Sequence, residues 1–97
     1  MRTLHYAGCD FVTSDRVAEA FVDYLVTLPL NQPPERVTIP ALRAGDEVVA
    51  EFVVTAFAPI VTTSSHEREV PLHGEDAAIE ALRGKARRLD GVGLETP

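Results

Sequence analysis

The chain has 97 residues, one domain's worth, with 45% hydrophobic and 25% charged residues and a formal charge of −6. Those values are ordinary for a globular protein and exclude disordered or collagen-like chains. The excess of carboxylates repels phosphate backbones and anionic lipid, so nucleic acid and membrane surfaces are disfavoured partners.

The first ten residues, MRTLHYAGCD, have no apolar h-region of a signal peptide, and no stretch approaches the roughly 18 uninterrupted apolar residues of a membrane span. Cys9 has no second cysteine to pair with. A reducing, cytoplasmic setting is the expectation that follows.

Thr3–Ala7 is a β-prone run, and Gly8 and Asp10 supply turn chemistry after it. Phe11 and Val12 then lead to Thr13 and Ser14, either of which can cap a following helix, with Asp15 favouring its positive end. Val17, Ala18, Phe21, Val22, Leu25, Val26 and Leu28 make one stripe of that helix, opposite Arg16, Glu19, Asp23 and Thr27. Pro29 ends it, and the prolines at 33 and 34 keep the next segment a loop.

Arg36–Leu42 and Glu47–Pro59 flank a turn at Gly45 and Asp46 and read as an antiparallel hairpin. Pro40 cannot donate to a ladder, which makes its strand an edge strand or a bulged one. The run 59–63 is either a continuation beyond a bulge or a separate short strand. Between Gly74 and Gly91 acids precede bases, as a helix dipole prefers, with Ile79, Leu82, Ala86 and Leu89 as a thin apolar seam that Gly84 weakens.

The expected fold is α+β, in the order β-α-β-β-(β)-α, with one or two helices packed on a small antiparallel sheet. Residues 1–92 form the domain and 93–97 a frayed tail.

Residues 62–76 concentrate serines, histidines and carboxylates. A hydrolase or metal-dependent enzyme using Ser64, Ser65, His66, Glu67 and His73 is the alternative function they raise. A serine nucleophile needs a histidine within reach and a third group to orient it, yet Ser64–Glu67 are sequence neighbours whose side chains diverge in extended chain. The segment therefore reads as a connector. His66 and His73 are weak zinc ligands in a spacing without signature, Cys9 beside Asp10 is a poor thiolate, and no glycine-rich phosphate loop is present. No catalytic residue, metal or cofactor is expected.

Arg83, Lys85, Arg87 and Arg88 form a local positive end of the last helix, best read as dipole complementation and solvation. The long strand carries more information. One face has Val48, Ala50, Phe52, Val54, Ala56 and Ala58, which belong under the helices. The other has Val49, Val53 and Phe57, interrupted only by Glu51 and Thr55, where a half-exposed strand normally alternates. Either the last helix or another molecule is expected to cover that second face. The function expected is accordingly a non-enzymatic interaction or regulatory protein that binds itself or a protein partner.

Overall fold

The computed structural model describes the backbone of residues 1–95 and the side chains of residues 1–89. Seven elements follow in order: β1 (Arg2–Tyr6), β2 (Cys9–Thr13), α1 (Asp15–Val26), β3 (Glu35–Arg43), β4 (Asp46–Val54), β5 (Ile60–Ser64) and α2 (Glu75–Glu95). The strands form one open sheet in the order β4-β3-β2-β1-β5, every neighbouring pair antiparallel. The fold class is α+β, as the sequence indicates, with one strand more than expected before α1.

That additional strand, β2, exists because the first turn is tighter than its sequence suggests. Ala7 and Gly8 have φ of 51° and 82°, and Tyr6 pairs directly with Cys9, so two residues complete the reversal. The second hairpin repeats the device: Ala44 and Gly45 have φ of 53° and 84°, between the paired Arg43 and Asp46. Positive φ at both central residues marks the turn whose twist matches that of the flanking strands. Ala-Gly serves in both places, the alanine at a steric cost that glycine escapes.

Ser14 caps α1, its Oγ accepting from the Val17 amide at 3.2 Å. The buried stripe is Val17, Ala18, Ala20, Phe21 and Tyr24. It is rotated from the sequence-based assignment, since Tyr24 is fully buried, Leu25 is only half-buried and Val26 is 76% exposed. The aromatic side chain offers more surface to bury than the valine, and this decides which way the helix turns. Phe21 and Phe52 meet at 5.1 Å between ring centroids, and Tyr6 and Phe11 stand edge-on to Phe52 at 5.5 and 5.3 Å.

β2 and β3 meet at one registered pair, Val12 with Leu42, and then diverge. Pro40 explains why β3 tolerates this. Its carbonyl accepts the Thr13 hydroxyl at 2.8 Å, and in an antiparallel strand a residue's nitrogen and carbonyl point the same way. The missing N–H of Pro40 therefore faces the β2 side, and the ladder with β4 is intact across it. The edge character expected from this proline is met by one side of a strand that is paired in full on the other.

α2 packs beside α1 in the same direction: Arg16 lies 3.2 Å from both Glu75 and Asp76, and Arg83 lies 2.5 Å from Asp23. Its Leu82, with half-buried Ile79 and Leu89, joins the main core. The helical backbone continues through Gly91 to Glu95, so residues 93–95 of the expected tail are helical and 96–97 lie outside the described residues. A glycine within a helix costs about 1 kcal/mol relative to alanine but does not by itself terminate it. As a consequence the basic residues 83–88 sit mid-helix, where Arg83, Lys85 and Arg87 pair with Asp23, Glu35 and Glu80.

Candidate functional site

Residues 65–74 form a strap across one end of the sheet. The Ser65 amide donates to the Met1 carbonyl at 3.2 Å, and the Glu69 carboxylate takes the Met1 amine at 2.6 Å and the Asp15 amide at 3.3 Å. That hydrogen bond to Glu69 is the main reason the amine's pKa is raised. Leu72 is buried with Met1 and Leu42 in a small second core, and the His73 amide donates to Glu47 at 2.8 Å.

Ser64, Ser65, His66 and His73 make no side-chain hydrogen bond to one another among the described residues. His66 is exposed, Ser65 Oγ accepts from the Glu67 amide at 3.2 Å, and Ser64 ends β5 on the surface. Among the described residues no group of three metal-ligating side chains stands together, so His66 and His73 have no partners of that kind. Cys9 is exposed.

A chain of hydrogen bonds that sequence reasoning missed crosses three strands instead. Asp10 Oδ1 lies 2.8 Å from His5 Nδ1, and His5 Nε2 lies 3.0 Å from Thr63 Oγ1. The order acid, imidazole, hydroxyl is that of a nucleophilic triad. Such a chain activates a hydroxyl only where water is excluded and donors await an oxyanion. Here the His5 side chain is 37% exposed and Asp10 67%, so the geometry suits a bracket joining β2, β1 and β5.

The two faces of the sheet differ sharply. Alternation along β4 turns Ala50, Phe52 and Val54 into the core, while Val49 and Val53 face away and are 76% and 60% exposed. Phe57 is 75% exposed but is not on the strand, because β4 ends at Val54 and Phe57 lies in the link to β5. Ala56 and Phe57 form a turn there, which the apolar run of the sequence concealed. Val61 of β5 is a further exposed apolar side chain at 56%.

α2 does not cover this face. It keeps its seam with α1 and reaches the outer side only by its first turn, where Ala77 and Ala78 meet Pro40 and Val49 around a depression of about 320 Å³. Between Val49 and Val53 the surface carries an ion pair, Arg36 with Glu51 at 3.4 Å.

A third feature lies at the opposite edge, on the helix-bearing side. Arg2 of β1 and Thr62 of β5 form one wall of a groove of about 420 Å³, and α1 forms the other with Asp15, Ala18, Glu19, Val22 and Asp23. No helix of the described residues is long and apolar enough to cross a membrane.

No family model, curated protein or solved structure matches this chain.

Proposed function

We propose that the chain is a non-enzymatic interaction protein that associates with a second copy of itself through the open face of its sheet. One observation carries this reading: Val49 and Val53, 76% and 60% exposed, stand on the outward row of β4, which α2 borders only at its first turn, and Phe57 is exposed in the link that follows. Leaving each such side chain in water forgoes about 1.5 to 3 kcal/mol relative to burial. The face is also self-complementary. It carries both charge signs, Arg36 and Glu51 paired at 3.4 Å within the chain, which two copies related by a two-fold axis could exchange in the isologous pattern of most homodimers.

Two copies of charge −6 repel at a distance, so the association is driven by apolar contact and strengthened by screening salt. A cytoplasmic setting agrees with the lone, exposed Cys9.

Equilibrium sedimentation of wild-type protein tests the proposal. Dimerisation that tightens with added salt and is abolished by Val53→Glu or Phe57→Glu, with circular dichroism unchanged, supports it. A wild-type chain that remains monomeric at millimolar concentration overturns it.

A further inference from the structure

We propose that the groove between α1 and β5 takes an extended peptide bearing Lys or Arg at alternate positions, which adds to the free edge of β5 as a sixth strand. This surface is separate from the open face and does not depend on association there. β5 is the last strand of the sheet, paired to β1 on one side only, so its outer N–H and C=O groups are available to a further strand. Immediately beside that edge lies the 420 Å³ groove, with Thr62 of β5 in its wall.

The far wall fits such a strand in spacing, and Glu19, the carboxylate without an ion pair among the described residues, supplies the charge. Asp15, Glu19 and Asp23 recur every four residues along α1, about 6 Å apart. Side chains on one side of a strand recur every about 6.6 Å. A peptide running along β5 thus presents successive inward side chains in near register with successive carboxylates. Between them the wall is apolar and small, buried Ala18 and half-buried Val22, which leaves room for the aliphatic stems of Lys and Arg.

The three carboxylates are not equivalent. Asp15 lies 3.3 Å from the Met1 amine and Asp23 lies 2.5 Å from Arg83, whereas Glu19 has no ion pair among the described residues. Glu19 is therefore the centre of the attraction. Arg2, exposed in the opposite wall, has no carboxylate within ion-pair distance among the described residues and opposes a cationic side chain. Removing each should have opposite effects, both larger than those of the same charge changes made outside the groove, since an undirected attraction follows net charge alone.

The probe is a fluorescein-labelled octapeptide with Arg at alternate positions and Thr between them, titrated by fluorescence anisotropy at low salt. Glu19→Lys is expected to weaken binding by about tenfold or more, Arg2→Gln to tighten it, and added salt to weaken it. Amide resonances of Ile60–Ser64 and of α1 should shift on binding. The same peptide N-methylated on the amides that face β5 should lose affinity. No measurable binding overturns the proposal. So does equal affinity for a peptide of the same composition with its arginines contiguous, which would mark an undirected attraction to a chain of charge −6.

Discussion

The phenol oxygen of Tyr6, in β1, stands 3.4 Å from the carbonyl oxygen of Val53, in β4, although β2 and β3 separate the two strands in the sheet. Only a strongly curled sheet brings them so close. The divergence of β2 from β3 beyond Val12 and Leu42 lets the two hairpins fold toward each other around Phe52. Tyr6→Phe keeps the ring contacts and removes one long hydrogen bond, so urea denaturation should show a loss of about 0.5 to 1 kcal/mol. Tyr6→Ala should cost about 3 to 5 kcal/mol through the lost aromatic packing.

Phe21 is fully buried against Tyr6 and Phe52. Truncation to alanine should cost about 3 to 5 kcal/mol, whereas Val26→Ala, at a site 76% exposed, should change stability by less than about 0.5 kcal/mol. Urea midpoints of the two variants compare them directly, and equal losses would mean that α1 is rotated in solution from the arrangement described.

Ala44 holds a φ of 53°, a conformation costly for a residue with a Cβ. Ala44→Asn, which tolerates that region better, is expected to raise stability by about 0.5 to 1 kcal/mol. Gly45→Ala should lower it, because φ there is 84° even though nothing lies within 4 Å of an added Cβ. Thermal melts of both variants, moving in opposite directions, would establish the turn as two residues long.

Glu35 is held below its ordinary pKa of 4.5, first by its hydrogen bond with Lys85. A carboxyl depressed in the folded state stabilises the fold at pH above its unfolded value, and that stabilisation is lost as pH falls through the folded value. Acid titration of the unfolding free energy should therefore decline below about pH 4.5, and Glu35→Gln should remove part of the decline. Near this pair the fully buried Tyr24 hydroxyl makes no well-formed hydrogen bond, while burial and then the nearby Glu35 carboxylate push its ionisation up. Tyr24→Phe removes an orphaned polar atom and is expected to stabilise the fold by about 1 kcal/mol, measured in the same titration. A loss instead would place that hydroxyl in a hydrogen bond with Glu35 in solution.

Local chemistry made much of this arrangement legible. Ser14 announces α1, Pro29 follows its end, and the alternation of Val48 to Val54 sorts β4 into a buried and an outward row. β2 was hidden because Gly8, Cys9 and Asp10 together resemble a loop, although the second turn, expected at Gly45 and Asp46 and centred in the structure one residue earlier on Ala44 and Gly45, was readable between two long apolar runs. Phe57 kept the period of the strand after the strand had ended. The His5, Asp10 and Thr63 chain had no local signature, since it depends on two separate pairings of β1. The β5 groove was equally out of reach, because an edge is a property of strand order rather than of any segment.

The placement of β5 has a kinetic consequence. β1 pairs on one side with the strand that directly follows it and on the other with β5, so that His5 bonds to Thr63 across 58 positions of sequence. The first of these contacts closes a loop of two residues, whereas the second must draw in α1 and a whole hairpin. Contacts between distant parts of a chain slow folding, because the entropy of the loop is surrendered before the contact forms. The β1–β2 hairpin thus waits with its β5-facing side bare while the rest of the sheet assembles, and that interval is when the chain is most open to capture by a foreign strand.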